Sequence, residues 1–286
     1  MRFLMIGAHQ DDAEFECGGT ATLLAKNGHQ VRFLSCCNGC GGHHINTKEE
    51  ISARRWEESK KVAKLLGIEY DVWHDVDDCS IMPDLETRRR MINYIREYKP
   101  DVIITHRTND YHADHRNVGI LVQDASYVLI VPHECPETTA LKEMPVILFM
   151  DDPFTNPLLI PEIIVPIDSV IETKLQISAI NESQVFEWLP YTYNEPAPDK
   201  NNPEDVFKIL RGFEITEKTT DKEILNTPFK RAYAVKYAKV AAKHRKFLIK
   251  SYGKLGKKVR YAEVFGCSEY GTPITEEVRK ILTNLK

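Results

Sequence analysis

The chain of 286 residues lacks the features that mark several common classes of protein. It has no apolar run near the ~20 residues that a membrane-spanning helix requires, so we expect no membrane partner. It has no excess of basic charge either, because 38 Lys and Arg residues stand against 42 Asp and Glu residues. The net charge of −4 argues against a nucleic-acid partner bound through a broad basic surface. With no internal repeat and no low-complexity tract, we expect one domain over residues 1–286.

We expect neither a secretory signal in this sequence nor a disulfide framework. The apolar run at residues 3–8 stops at His9, whereas the core of a signal peptide is longer and ends in small residues. The seven cysteines are odd in number and irregularly spaced, which favours reduced thiols in a cytoplasmic protein. Cys37 and Cys40 have C-x-x-C spacing without a second pair. A structural zinc or a redox pair is therefore the less favoured alternative to free thiols.

What the sequence does have is a regular alternation of strand-like and helix-like segments. Apolar strands are predicted at residues 2–8, 30–36, 70–73 and 101–105. Helices are predicted at residues 18–26 (opened by Gly18 and Gly19), 47–66, 85–98 and about 115–130. Strands that alternate with helices in this way form βαβ units and a parallel sheet. We expect an α/β fold, with a Rossmann-like, mostly parallel sheet and helices on both faces.

The second half of the chain is less regular. Further strands are predicted at residues 146–150 and 163–167, and a helix capped by Asp168 or Ser169 is predicted up to residue 188. A loop rich in Pro, Asn and Tyr follows, and residues 204–250 read as mostly helical. We therefore expect a helical C-terminal insert. Its basic run from Lys236 is interpreted as a solvated helix face, with a polyanion site as the lesser alternative.

Polar clusters follow the first and the fourth predicted strands. Residues 8–12, Ala-His-Gln-Asp-Asp, come directly after the first strand, and His112 and His115 share a helix face after the fourth. Ligands bind in the crevice beyond the carboxyl ends of parallel strands, so the clusters would meet there if these two strands are neighbours. Imidazole and carboxylate together suit a metal such as zinc, and a second acid could act as general base. A solvated turn with a helix-capping aspartate is the alternative for the first cluster.

The two clusters resemble the motifs of the LmbE-like, or PIG-L, family of zinc-dependent N-deacetylases. That family carries Ala-His-Pro-Asp-Asp after its first strand and His-Pro-Asp-His later in the chain. Residues 8–12 match the first motif except for Gln10, and residues 112–115 match the second except for Ala113. Further matches are Gly18-Gly19-Thr20, Arg55-Trp56-Glu57-Glu58, Asn109-Asp110-Tyr111, residues 174–184 and residues 261–265. Residues 191–258 match least, and we regard them as a family-atypical insert.

The resemblance implies a metal centre and a reaction. His9, Asp12 and His115 would hold one Zn²⁺ per chain, and Asp11 would take a proton from the water on that zinc. This water would attack an amide carbonyl and release an acetyl or other acyl group from the nitrogen of an amino sugar or glycoconjugate. Zinc lowers the pKa of a bound water to ~7 and polarises the carbonyl, so the chemistry agrees with these residue types.

The resemblance also implies roles for residues around the metal. His112 would lie beside the substrate carbonyl, as a charged donor to the oxyanion or as an acid. Asp114 would orient a neighbouring histidine. Arg55 would bind substrate, and an exposed helix arginine is an equal alternative for it.

Two other functions remain open at the level of sequence. One is a non-catalytic metal-binding or carbohydrate-binding module on the same fold, although Asp11 argues for catalysis. The other is a Rossmann-type nucleotide-binding enzyme, although no G-x-G-x-x-G follows the first strand.

Weaker signals surround these two motifs. Histidines 43 and 44 could touch substrate but are more often solvated. The aromatic residues Trp188, Tyr191 and Tyr193 could form a stacking surface for a sugar, although packing is their commoner use. The insert could also form a contact between identical subunits.

Overall fold

A computed structural model describes residues 1–228 and 232–285 of the chain. Over these residues, seven strands form one sheet in the order β3-β2-β1-β4-β5-β7-β6. The strands are β1 (Arg2–Gly7), β2 (Gln30–Ser35), β3 (Glu69–Val72), β4 (Val102–Thr105), β5 (Val146–Phe149), β6 (Ile163–Pro166) and β7 (Ala262–Cys267). The helices of the first half are α1 (Asp12–Lys26), α2 (Lys48–Leu66), α3 (Leu85–Tyr98) and α4 (Ala113–Val128).

The expected α/β architecture is confirmed. Strands β3, β2, β1, β4 and β5 pair in parallel, whereas β7 runs antiparallel to both β5 and β6. Alternate residues of β1 face two separate apolar clusters. Phe3 and Met5 face one with α1 and α2, and Leu4 and Ile6 face the other with α3 and α4. Helices therefore cover both faces of the sheet, as predicted.

The start of α1 differs from the prediction. The helix begins at Asp12 and not at Gly18, so both glycines lie inside it. A Cβ on Gly19 would lie 2.7 Å from the Ile167 side chain and 3.0 Å from the Glu263 carboxylate. That carboxylate accepts hydrogen bonds from the backbone N–H of Gly19 at 2.9 Å and of Thr20 at 2.7 Å. Gly19 thus allows close packing of α1 onto β7, where the prediction took both glycines as a helix start.

The second half of the chain consists of shorter helices than predicted. The helix expected up to residue 188 is divided into α5 (Ile171–Ile180), a π-helical turn (Ser183–Trp188) and α6 (Leu189–Thr192). The expected helical insert contains α7 (Pro203–Leu210), α8 (Asp221–Asn226), α9 (Tyr233–Lys243) and α10 (Arg245–Tyr252), and α11 (Glu276–Thr283) closes the fold. Residues 211–220 are not helical. Residues 229–231 of the predicted helical stretch lie outside the described residues.

The insert packs onto the sheet through α9. Tyr233, Ala234, Tyr237 and Ala238 of this helix are buried in the same apolar cluster as α1. Lys236, which begins the basic run, forms an ion pair with Glu16 of α1 and is only partly exposed. The solvated-face interpretation is therefore wrong for Lys236. Among the described residues, we find no helix of the length and apolarity needed to cross a membrane.

Candidate metal and catalytic site

The two polar clusters meet at one edge of the sheet. Strands β1 and β4 are direct neighbours, with Ile6 paired to Thr105, so the segments that follow them leave the sheet side by side. We call residues 8–12 the β1 loop and residues 106–115 the β4 loop. The order β3-β2-β1-β4-β5 reverses direction between β1 and β4, which is where open α/β sheets bind ligands.

The three predicted ligands lie at the spacing of a tetrahedral metal site. His9 Nδ1 lies 3.3 Å from His115 Nε2, and His115 Nε2 lies 3.3 Å from Asp12 Oδ1. His9 Nδ1 lies 3.6 Å from Asp12 Oδ2. Ligand bonds of ~2.0–2.1 Å around a tetrahedral zinc imply an edge of about 3.3–3.4 Å between ligand atoms. Two of these distances match that edge and the third, to the other oxygen of Asp12, is slightly longer, so His9, Asp12 and His115 lie close enough together to hold one small dication.

Carboxylates hold the far nitrogens of both histidines. Asp114 Oδ2 lies 3.1 Å from His9 Nε2, and Asp110 Oδ1 lies 3.0 Å from His115 Nδ1. A carboxylate accepts only from a protonated ring nitrogen, so once the rings are neutral the lone pairs of His9 Nδ1 and His115 Nε2 point to the shared centre. Asp114 thus contacts a neighbouring histidine as predicted. Asp110 does the same for His115, although sequence reasoning gave it no role.

The pKa values of His115 and Asp12 show that this centre attracts positive charge. Burial would lower the pKa of His115, but the charge of Asp12 and the hydrogen bond with Asp110 raise it to about 9. Burial likewise would raise the pKa of Asp12, but His115 and His106 hold it well below its usual range. Protons fill this centre in the metal-free chain, and a dication would take their place.

His106 is a site residue that sequence reasoning missed. Its Nε2 lies 3.0 Å from Asp12 Oδ2, and its ring stacks on His115 with centroids 4.1 Å apart and planes at 13°. Ligand atoms of Asp12, His106 and His115 all lie within 4.8 Å of one another, so His106 is also within reach of a metal. Its place directly after β4 was the available signal, because the β1 loop also begins directly after its strand.

Asp11 lies beside the predicted ligands in an unusual backbone conformation. Asp11 directly precedes α1 and has a φ of 137°. Its side chain makes no capping hydrogen bond to the helix. Burial raises the pKa of Asp11 to about 6, with Arg55 opposing the shift and Asp12 adding to it. A buried carboxyl group with such a pKa is ionised at neutral pH and still accepts a proton readily, as a general base must.

Arg55 contacts Asp11 from behind. It is 2% exposed, and its Nη2 lies 3.1 Å from Asp11 Oδ1 and donates to the backbone carbonyl of Gln10. Gly39, with φ of 74°, allows the loop after β2 to cover this guanidinium, since a Cβ there would lie 2.7 Å from Arg55 Cδ. The exposed-arginine alternative is therefore wrong, and substrate contact by Arg55 stays a prediction.

His112 is the N-cap residue of α4 and its ring lies against that of His9, with centroids 4.7 Å apart. Its Nδ1 accepts a hydrogen bond of 3.1 Å from the backbone N–H of Asp114, so in the neutral ring Nε2 carries the proton. Burial and the nearby charges of His9 and His115 lower the pKa of His112. The side chain is 27% exposed. His112 can thus donate a hydrogen bond from Nε2 while neutral, whereas the prediction gave it a positive charge or a proton to release.

The structure also places the residues of the weaker sequence signals. His43 is not solvated, because its side chain is 4% exposed and its Nε2 lies 2.8 Å from Glu187. His44 stacks on Tyr191 with centroids 4.0 Å apart and planes at 5°, and Trp188 lies 5.7 Å from Tyr191. Tyr193 is exposed. The rings of His44, Trp188 and Tyr191 form one aromatic group, and His44 follows the loop that covers Arg55. All seven cysteines are free, and those at positions 37 and 40 are buried.

Comparison with known proteins agrees with the motifs. Residues 4–126 match the PIG-L family, described as GlcNAc-PI de-N-acetylase, and this range contains both the β1 loop and the β4 loop. The predicted resemblance to that family is therefore confirmed. Over 201 residues the chain is 27% identical to diacetylchitobiose deacetylase of Thermococcus kodakarensis, covering 66% of this chain and 74% of the relative.

Two further likenesses complete this comparison. Over 133 residues the chain is 25% identical to 4-oxalmesaconate hydratase of Pseudomonas putida, covering 44% of this chain and 51% of the relative. The solved structure of N,N'-diacetylchitobiose deacetylase from Pyrococcus horikoshii superposes with a TM-score of 0.64 at 20% identity, covering 94% of this chain and 84% of the other. This last likeness shows a shared fold.

Proposed function

We propose that this chain, which resembles the PIG-L family over residues 4–126, is a zinc-dependent hydrolase that removes an acetyl group from the nitrogen of an amino sugar or glycoconjugate. The observation that carries the proposal is the set of ligand atoms from His9, Asp12 and His115. They lie 3.3–3.6 Å apart, with Asp11 directly beside them. A site that only bound metal would have no use for a buried base next to the ligands.

The chain's own residues divide the work. A dication in this site supplies a Lewis acid that acidifies water and polarises a carbonyl. Asp11 accepts the proton that the attacking water loses, and its pKa of about 6 keeps it ionised at neutral pH. As the carbonyl oxygen becomes negative, His112 donates a hydrogen bond from Nε2, a contact often worth ~3 kcal/mol in a dry site. The proton held by Asp11 then passes to the leaving nitrogen, giving acetate and a free amine.

The carboxylates behind the histidines keep the site in order. Asp114 fixes the ring of His9 and Asp110 fixes the ring of His115. Each ring therefore already has the tautomer that metal binding requires. Arg55 is proposed to hold Asp11 in place through their ion pair of 3.1 Å. If Arg55 also contacts substrate, it does so from beneath Asp11.

The sugar part of the proposal comes from the relatives. The family description and the curated relative that covers most of this chain both concern acetylated amino sugars. The exposed ring of Tyr191, stacked on His44, offers the flat apolar surface on which sugar rings commonly lie.

The similarity to 4-oxalmesaconate hydratase supports a second candidate function. A hydratase adds water to its substrate, and the same Lewis acid and base could activate that water. We favour the deacetylase because the match to a deacetylase extends over 201 residues and the match to the hydratase over 133.

One assay separates the two functions. The zinc-loaded protein is incubated with N-acetylglucosamine, N,N'-diacetylchitobiose, acetylated glycoconjugates, an acetylated inositol conjugate and 4-oxalmesaconate. We expect acetate and free amine from at least one acetylated compound. Consumption of 4-oxalmesaconate without acetate release would establish the hydratase instead. No reaction with any of them would overturn the proposal in favour of a binding module.

A further inference from the structure

Cys79 presents an exposed thiol at the edge of the site. It lies in the loop between β3 and α3 and adopts the left-handed conformation, with φ of 64°. Its backbone N–H donates a hydrogen bond of 2.7 Å to Asp114 Oδ2. This bond fastens the loop to the same carboxylate that holds His9. The thiol therefore stands next to the site although its residue is remote from both motifs in sequence.

The Cys79 thiol is part of a second cluster of metal-ligand atoms. The sulfur of Cys79, a ring nitrogen of His112 and a carboxylate oxygen of Asp114 all lie within 4.8 Å of one another. Thiolate, imidazole and carboxylate are the ligands that zinc and cadmium prefer. One thiolate and one carboxylate also supply two negative charges, which equal the charge of a dication.

An unsatisfied oxygen provides a second, independent sign of a ligand. Asp114 is 1% exposed, and its Oδ1 accepts no hydrogen bond from any residue in 1–228 or 232–285. Buried carboxylate oxygens are normally hydrogen-bonded, because an unpaired one loses its hydration without compensation. The other oxygen, Oδ2, is already used by His9 and by the backbone of Cys79. Asp114 therefore has one oxygen, Oδ1, that no hydrogen bond among the described residues occupies, while His112 Nδ1 lies 3.8 Å from Oδ2.

We propose that Cys79, His112 and Asp114 form a second divalent-metal site, which binds a thiophilic cation such as Zn²⁺ or Cd²⁺ more weakly than the first. It is weaker because two of its three ligands are exposed or partly exposed, so solvent water competes for the ion. On binding, the Cys79 thiol loses its proton to solvent and a sulfur–metal bond forms. A metal there takes His112 from the substrate carbonyl and inhibits the enzyme. The inhibition rests on the proposed function, whereas the binding does not.

Cadmium titration tests the binding directly. Cd²⁺ is added to protein that already contains one equivalent of zinc, and the ultraviolet charge-transfer band of a cadmium thiolate is followed. We expect one further equivalent with this band, lost in Cys79→Ser and kept in Cys267→Ser. Cys37→Ser is the matched control and should keep the band, although the Cys37 sulfur also lies near His9 and Asp114. A band that survives Cys79→Ser, or that disappears only in Cys37→Ser, would overturn the proposal.

Two further measurements separate this proposal from the catalytic one. His115→Ala should lose the first metal and still give the Cys79-dependent band. With wild type, excess zinc should slow acetate release, and Cys79→Ser should need at least about tenfold more zinc for half-inhibition. Equal zinc sensitivity in the two proteins would refute the inhibitory role. If no acetylated compound is hydrolysed at all, the proposed function fails while the cadmium band still decides the metal site.

Discussion

The β1 loop and the β4 loop reach the same point from neighbouring strands, but they supply different chemistry. The β1 loop brings two adjacent carboxylates, Asp11 and Asp12, into contrasting surroundings. Burial raises the pKa of Asp11 to about 6, while His115 and His106 hold the pKa of Asp12 well below its usual range. The β4 loop brings histidines together with the carboxylates that fix them. The β1 loop thus carries the proposed base and two proposed ligands, whereas the β4 loop carries the third ligand, His112 and the carboxylates that contact the histidine rings.

This difference explains why two aspartates in sequence can have separate tasks. Asp12 faces the β4 loop, where its Oδ1 lies 3.3 Å from His115 Nε2. Asp11 forms its ion pair with Arg55 of α2, at 3.1 Å. Carboxyl groups whose environments separate their pKa values are a recurrent basis for assigning acid, base and ligand. Mutations in the two loops should therefore give different combinations of lost metal and lost turnover.

The largest effect is expected from the β4 loop at His115. His115→Ala removes a ligand atom, so zinc content and turnover should fall together, turnover by more than about 10⁴-fold, because the metal contributes to both attack and charge stabilisation. Elemental analysis and acetate release measure the two quantities. His244→Ala, between α9 and α10, serves as the control. If His115→Ala lost zinc but kept turnover, the metal held by His115 would not be catalytic.

The next effect is expected from the β1 loop at Asp11. Asp11→Asn should keep its zinc and lose turnover by about 10²–10⁴-fold, the usual contribution of a general base. Asp75→Asn, at an exposed surface position, should behave as wild type in both measurements. Wild-type turnover in Asp11→Asn would show that Asp11 is not the general base.

A smaller effect is expected where the β4 loop only orients a ligand. Asp110→Asn keeps the shape of the side chain but removes the charge behind His115. Zinc affinity should fall by about 10–100-fold, while turnover at saturating zinc changes less. A competition titration with a metal chelator measures the affinity. Unchanged affinity would show that Asp110 does not hold the ring of His115 for metal binding.

The smallest effect is a shift in pH dependence. Asp11 must be ionised to act, so the rate should fall as the pH drops through its pKa. The charge of Arg55 opposes the upward shift of this pKa. Arg55→Gln should therefore move the acidic limb of the kcat/KM profile to higher pH by about one unit or more. Arg54→Gln is the matched control, because Arg54 pairs with Glu187 and Glu182 instead. An acidic limb that stays in place would assign it to another group.

The sequence predicted the parts of the structure that depend on local pattern. The strands of the first half, their parallel pairing and the approach of the two polar clusters follow from apolar periodicity and from the rules for parallel sheets. The sequence pointed to Asp114 because it lies inside a family motif; the structure shows its contact with His9, and its orienting role stays a prediction. The local pattern gives the strands and the motifs, and the general rules for parallel sheets bring the two clusters together.

Features that depend on contacts between distant segments were missed. His106 and Asp110 act on His115 through space, and only the fold shows which ring each one touches. Arg55 reads as an ordinary helix residue until the loop after β2 covers it. Gly19 reads as a helix start because its partner, Glu263, lies 244 residues away.

The measurement that tests the account most directly is acetate release by the same protein with and without its metal. The protein is stripped with a chelator, assayed with N,N'-diacetylchitobiose and the other acetylated compounds, and assayed again after zinc is restored. We expect negligible release without metal and full recovery at one zinc per chain. His115→Ala should show no recovery when zinc is restored. Equal release by the stripped and the zinc-loaded protein would contradict the claim that His9, Asp12 and His115 form a catalytic metal centre.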